Sequence, residues 1–412
     1  MVAPPPLLPP RPAATRRTAL GLILGAPLVA GCASVQSTFS SMTSSFPGQG
    51  VDQQPPSGPA GPPQQPTAVG AGSVRVALVL PLSAQGNAGV AAQSMKNAAE
   101  MALAEFQNPN LQLLVKDDAG NPQGAQQGAQ QAVDEGAEII LGPLFALSVP
   151  AVAQAARNRG TPVIAFSTDS SVAGRGVYLL SFLPETDVNR IVDYAAGTGK
   201  RSFAAMLPEN AYGNVVEAAF KQAVARRGGR IVAFERYGAN RVQMQAPARN
   251  IAQALANADT LFLADDGDAL ANVTEALTAS GANLKRVQLT GTGLWDSPRV
   301  SANPALQGGF YAAPDPAGFR SFSTRYRNRY GSDPVRTATL AYDAVALVAA
   351  LAKTQGAQRF APDVLQNSSG FAGIDGLFRF RPDGSNERGL SVMRVTSGGA
   401  QVAAAAPKSF GA

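Results

Sequence analysis

The sequence predicts an α/β protein built as two doubly wound, Rossmann-like lobes. Three observations carry this reading. Short β-branched runs alternate with longer Ala-rich stretches from Val74 onward, the series starts afresh after Pro184, and 412 residues that are 45% hydrophobic suffice for two ordinary cores. Near-continuous apolar strands separated by amphipathic helices are the pattern of a parallel sheet covered on both faces.

The elements follow in order. Residues 74–80 (VRVALVL) read as a strand, and 88–107 as a helix, because Val90, Met95, Ala98, Ala99, Ala102 and Phe106 recur near the helical period. A strand at 111–115 completes a βαβ unit, which repeats as helix 123–135, strand 138–141, helix 149–157 and strand 162–166. The second series is helix 186–196, strand 202–207, helix 215–226, strand 230–234, helix 246–256, strand 260–263, helix 269–279 and strand 286–289. A strand at 308–313 (GGFYAA), helices at 319–330 and 337–353, and two short strands at 377–380 and 390–395 around the turn Pro382, Asp383, Gly384 close the folded part.

Composition removes several function classes. With no His and a single Cys, the chain has no Ser/His/Asp or Cys/His nucleophile system, no imidazole metal site and no internal disulfide. The net charge of +6 is misleading: Arg11, Arg16 and Arg17 lie in the first 32 residues, which hold no acid, so the rest carries only +3. That surplus is spread thinly and is no footprint for nucleic acid. Gly291 and Gly293 lack the third glycine of a dinucleotide fingerprint. In the run Gly197 to Lys200, Tyr194 stands where a phosphate loop needs glycine and Arg201 follows the lysine. The acidic groups Asp117, Asp118 and Asp265, Asp266, Asp268 miss calcium-loop spacing. No metal, no cofactor and no catalysis are expected.

The first 72 residues have a different character. The apolar run 19–31 (ALGLILGAPLVAG) is too short to span about 30 Å of hydrocarbon as a helix, so it reads as the core of an export signal. Val29, Ala30, Gly31 and Cys32 resemble the bacterial lipobox. That resemblance makes 1–32 a lipoprotein signal peptide and Cys32 the lipidated residue, holding the protein to a membrane surface in the cell envelope, the outer membrane if there are two. Residues 33–72, Ser/Thr-rich and then dense in Pro, Gly and Gln, cannot bury a core and read as a disordered tether reaching roughly 35 Å or more.

In doubly wound sheets, ligands sit beyond the carboxyl ends of the strands, where helix N-termini present N–H groups. The residues falling there are Ser83, Ser148, Ser167, Thr168 and Asp169 in the first lobe, and Tyr212, Asp265, Trp295 and Asp296 in the second. Hydroxyls and N–H donors of Ser148, Ser167 and Thr168 would hold a carboxylate, and Asp169 or Asp296 an ammonium. The rings of Tyr212 and Trp295 would close over the ligand body. Each also has a structural reading, as cap, loop or core anchor.

Four stretches carry a family resemblance: VALVLPLSAQGNAGVAAQSMKNAAEMALAEFQ (76–107), VKDDAGNPQGAQQGAQQAVDEGAEIILGPL (115–144), NAYGNVVEAAFKQAVARRGGRIV (210–232) and FAGIDGLFRFRPDG (371–384). In this order the chain resembles the type I periplasmic binding proteins of the leucine/isoleucine/valine group. The resemblance implies a hinge crossed three times, with 73–182 plus 310–365 as lobe 1 and 183–309 plus 366–400 as lobe 2. It also implies a small polar, amino-acid-like ligand and an ABC permease as partner. Ser148 and Tyr212 match the group's ligand residues, whereas Phe145, Ala146 and Leu147 stand where serines are expected and the group's ammonium-binding acid falls near Gly293. The run GTGLWDSPRVSANPALQGGFYAAPDP (291–316), taken with the anchor and tether, is also similar to penicillin-binding protein activators, which work by touching a peptidoglycan synthase.

Overall fold

The structure, a computed structural model, describes residues 67–107 and 109–410. The signal segment, Cys32 and the tether up to residue 66 lie outside the described residues.

The first lobe opens with β1 (Thr67–Val69), β2 (Val74–Leu80), α1 (Asn87–Glu105), β3 (Leu111–Asp117), α2 (Pro122–Asp134), β4 (Ile139–Leu141), α3 (Val149–Arg157), β5 (Val163–Ala165) and β6 (Val177–Leu179). The second holds α4 (Pro184–Gly197), β7 (Ser202–Pro208), α5 (Ala211–Arg226), β8 (Arg230–Tyr237), α6 (Arg241–Ala254), β9 (Thr260–Leu263), α7 (Gly267–Ala279), β10 (Gln288–Gly291), α8 (Pro298–Ala302) and β11 (Phe310–Ala313). The chain ends with α9 (Pro316–Tyr330), α10 (Ala338–Thr354), α11 (Pro362–Leu365), β12 (Phe371–Gly373), β13 (Gly376–Phe380), β14 (Asn386–Arg388), β15 (Ser391–Thr396) and β16 (Gly399–Ala404).

Sheet order in the first lobe is β1-β3-β2-β4-β5-β6, parallel except for β1; in the second it is β16-β15-β11-β10-β9-β7-β8, with β15 alone running against the other strands. The central strands β7 and β9 are buried throughout and β2 at every residue but Arg75, as covering on two faces requires, while the edge strands β8 and β16 are more open. One face of the first sheet shares a core with α1 and α10, through Met95, Leu340 and Val345, and the other with α2 and α3, through Ala129 and Val152. The second sheet is covered by α4 and α5 on one face, through Ile191 and Phe220, and by α6 and α7 on the other, through Ile251 and Val273.

Helix starts beyond the strand ends use polar caps. Asn121, Asn210, Asn240 and Asp266 each accept from a backbone N–H in the first turn of α2, α5, α6 and α7, satisfying donors that the helix itself leaves open.

Three boundaries differ from the sequence reading. The tether ends earlier than residue 72, because Thr67–Val69 pairs antiparallel with Val115–Leu113 along the edge of β3, an edge whose backbone groups would otherwise be open. Residues 310–313 do not start the return to the first lobe, since β11 pairs with β10 and β15 in the second sheet. Residues 371–388 form a small three-stranded sheet, β12-β13-β14, whose Phe378 and Phe380 share the core of Leu340 and Val345; only β15 and β16 return to the second lobe.

The chain therefore crosses between lobes after β6, after β11 and before β15. Each crossing meets the second sheet at the carboxyl edge of its parallel strands: β11 leaves there, and β15 enters opposite it, Ser391 pairing with Ala313. The first sheet is left from the end of β6, which runs parallel to β5. The crossings are laced together, with Asn386 Nδ2 and Arg388 Nε both donating to the Ser181 carbonyl at 2.9 and 2.8 Å. Gly384 is required at this lacing: its φ is +86°, and a Cβ there would lie 2.2 Å from the Val177 carbonyl.

Candidate functional site

Each sheet has one point where the strand order reverses, and a crevice forms there outside the carboxyl ends. In the first lobe it lies between β2 and β4, in the second between β7 and β9. Ser83 follows β2 and Ser148 follows β4; Tyr212 follows β7 and Asp265 follows β9. The two carboxyl edges meet at the first turn of α4. There Ser170 Oγ, from the loop after β5, donates to Glu185 Oε1 at 2.6 Å, and the Gly293 amide, just past β10, donates to Asp187 Oδ2 at 2.9 Å.

On the first-lobe side, the Ser83 amide donates to Asp117 Oδ1 at 3.2 Å, which holds the turn after β2 against the end of β3. Ser148 is fully buried at the head of α3, and its Oγ has no hydrogen-bond partner. Ser167 Oγ accepts from the Asp169 amide at 3.0 Å, while Asp169 Oδ1 accepts from the Ser171 amide at 2.9 Å. Asp169 is thus engaged in shaping its own turn. Thr168, between them, is half-buried.

On the second-lobe side, Asn210 caps α5 and sets Tyr212 at the helix start, where its hydroxyl lies 2.7 Å from Thr292 Oγ1. Burial pushes the Tyr212 phenol well above its ordinary range, against the Thr292 bond, so it stays protonated. Asp265 accepts from Tyr237 Oη at 2.6 Å and from the Asp266 amide at 2.8 Å. Burial raises its carboxyl to about 6 despite these two bonds.

Two expected residues are elsewhere. Trp295 does not close over a ligand: it has no exposed surface, and its Nε1 donates to the Leu263 carbonyl at 2.9 Å inside the second core. Two glycines make room for the indole, since a Cβ on Gly291 or Gly309 would come within 2.1 or 2.8 Å of its ring. Asp296 is exposed, accepts from Tyr311 Oη at 2.9 Å, and lines a groove with Ser397 and Gly399. That turn follows β15, which runs antiparallel to β11, so Asp296 lies toward the sheet edge opposite the crevice.

The structure adds residues that the sequence reading passed over. The acid beside Gly293 is supplied by Asp187. Its enclosure raises the carboxyl to about 7, opposed by the Gly293 N–H and by the charge of Arg388. Arg388 itself is buried, stacked over the Phe182 ring at 4.8 Å, and its Nη1 and Nη2 have no hydrogen-bond partner. An acid in a first helical turn is ordinary dipole matching, and one of many arginines carries no sequence mark of burial. Only the hinge geometry singles them out. A separate groove of about 940 Å³ lies on the flank of the second lobe, between Ala271 and Thr274 of α7 and Ala302 and Pro304. It holds none of the crevice residues, so volume alone does not pick the site.

The model of the periplasmic binding protein family matches residues 73–400. The chain belongs to the type I periplasmic binding proteins. Solved structures of the same fold agree over nearly their whole length. A protein assigned to a branched-chain amino acid ABC transporter of Rhodospirillum rubrum is 21% identical, with 80% of this chain and 99% of that one covered and a TM-score of 0.71. A branched-chain amino acid ABC transporter periplasmic ligand-binding protein of Burkholderia xenovorans is 20% identical, with 82% and 96% covered and a TM-score of 0.63. An ABC transporter substrate-binding protein of Desulfitobacterium hafniense, in complex with Leu, is 18% identical, with 80% and 99% covered and a TM-score of 0.58. No curated protein sequence matches the chain. As a periplasmic binding protein it belongs to an exported, non-enzymatic family, and among the described residues no helix is long and apolar enough to cross a membrane.

Proposed function

We propose that this periplasmic binding protein is the solute receptor of an ABC-type uptake system, capturing a small polar, amino-acid-like ligand by closing its lobes over it. The observation that carries the reading is the pairing of the two switch-point crevices. Ser83 and Ser148 lie beyond the strand ends of one lobe, and Tyr212, Asp265 and Asp187 near those of the other, with the hinge between. Hydroxyls on one wall and the Asp265 and Asp187 carboxyls on the other suit a ligand bearing both a carboxylate and an ammonium. The leucine-bound relative of Desulfitobacterium hafniense supports an amino acid as the ligand class. In this reading Cys32 carries the lipid, and the Pro/Gly/Gln segment lets the receptor reach its permease from the membrane surface.

Calorimetric titration with the twenty common amino acids tests this. One or a few should bind in the micromolar range or tighter, with affinity lost on Tyr212→Ala. Binding of none of them, together with specific capture of a penicillin-binding protein, would replace the receptor reading by that of a synthase activator.

A further inference from the structure

The hinge holds two guanidinium groups on one phenyl ring. Arg336 lies 4.5 Å and Arg388 4.8 Å from the centre of Phe182, at the first crossing. Their partners are unequal. Arg336 makes two bonds to Asp375, 2.9 and 2.5 Å, and Asp375 also accepts from Thr339 Oγ1 at 2.6 Å; burial pushes its carboxyl up, but the charges of Arg336 and Arg388 and the bonds from Arg336 and Thr339 together hold it low. Arg388 is 4% exposed, and only its Nε is bonded, to the Ser181 carbonyl. Nη1 and Nη2, four N–H donors, are buried without partners.

A desolvated guanidinium with unused donors is costly unless an anion meets it. The acids that Arg388 senses, Asp375, Asp343 and Asp187, make no direct bond to it. Asp375 is taken by Arg336, Asp343 Oδ1 accepts from the Ile374 amide at 2.8 Å, and Asp187 is tied to Gly293. Asp343 and Asp187 are both raised to about 7 by burial, against the opposing charge of Arg388, and neither bonds its Nη atoms. Beside Asp187, the buried Glu185 Oε2 also lacks a partner. Unused donors and an unused acceptor thus lie buried within one electrostatic neighbourhood at the crossings.

We propose that Arg388 is the carboxylate-binding residue of the ligand site, its Nη1 and Nη2 taking the two carboxylate oxygens while Glu185 and Asp187 take the ammonium. This deepens the receptor reading and rests on it. It moves the carboxylate from the Ser148 turn, where the family resemblance puts it, to the hinge. A planar fork suits a carboxylate in two-point contact, and the Phe182 face keeps the fork in place.

The test uses the full chain and matched probes: leucine, leucinamide, and each amino acid found to bind with its own amide, followed by calorimetry. The acid should bind and the amide should bind at least tenfold more weakly. Arg388→Lys should lose tenfold or more for the acid and most of the acid-over-amide preference, with its far-ultraviolet dichroism and melting curve showing a folded protein. Equal binding of acid and amide by the natural chain overturns the proposal even if every Arg388 variant fails to fold. So does wild-type affinity in folded Arg388→Lys or Arg388→Gln. In both those cases the receptor reading stands, whereas absence of binding by any amino acid removes both.

Discussion

Asp187 Oδ2 accepts the Gly293 amide at 2.9 Å, tying the first turn of α4 to the tip of β10, while two residues earlier Glu185 holds Ser170 of the other lobe. One helical turn therefore touches the carboxyl edges of both sheets.

Removing the Asp187 carboxyl should cost stability through the amide it leaves behind. Asp187→Asn keeps an acceptor for the Gly293 N–H and removes a buried charge, so at pH 8 it should be neutral or stabilising, whereas Asp187→Ala strands that N–H and should be less stable than Asp187→Asn by about 1–3 kcal/mol. Urea unfolding at pH 8 measures both. Equal effects of the two variants would show that the bond contributes nothing.

The buried acids predict a pH dependence of definite sign. Asp118, Asp187 and Asp343 are raised to about 7 and Asp265 to about 6, burial being the first cause in each, from 3.8 for an unperturbed aspartate. Between about pH 4 and 7 the folded chain holds protons that the unfolded chain has released, so stability falls as pH rises through that window and levels off above it. Asp375 and Asp259 are held low and act the other way, their stabilisation being lost as pH falls below the unfolded value. The urea midpoint should thus be higher at pH 5 than at pH 8. Asp118→Asn, which removes one of the four buried charges, should flatten that slope and stabilise the protein at pH 8. A midpoint that rises from pH 5 to 8 would contradict this assignment.

The order of strands and helices was legible because burial on both faces forces apolar strands, and capped amphipathic helices carry their own period. Helix Val149–Arg157 and strand Thr260–Leu263 stand where the pattern puts them. What was not legible depends on contacts distant in sequence. β6 has three residues after a Gly- and Ser-rich loop and exists because β5 offers an edge. The lobe assignment of Phe378 is decided by α10. Trp295 falls at a strand end, as a ligand residue would, and only the space beside Gly291 and Gly309 turns it inward. Asp187 and Arg388, about 200 residues apart in the chain, come into one electrostatic neighbourhood at the hinge.

Trp295 should behave as core and not as ligand contact. Trp295→Ala is expected to cost about 3–5 kcal/mol through the cavity and the orphaned Leu263 carbonyl. Trp295→Phe should cost less and leave ligand affinity in the folded protein unchanged. A large affinity loss in a fully folded Trp295→Phe protein would return the residue to the binding site.

The anchor reading makes a prediction independent of the lobes. Cys32→Ser in the full chain should abolish incorporation of labelled palmitate and shift the protein from the membrane fraction. Unchanged membrane association and labelling would remove lipidation at this position.

Ser148 allows stability and binding to be separated. Its Oγ is buried with no partner, so the hydroxyl carries a desolvation cost in the ligand-free protein and returns nothing for it. Ser148→Ala should therefore be neutral or stabilising by up to about 1 kcal/mol when the cleft is empty. If the hydroxyl meets a polar group of the ligand on closure, the same variant should bind about tenfold more weakly, equivalent to about 1.4 kcal/mol. Melting and titration would then move in opposite directions, a result that loss of packing cannot mimic, because lost packing lowers both. A variant that melts higher and binds as the natural chain does would place Ser148 outside the ligand's reach and leave Ser83 as the first lobe's hydroxyl contact.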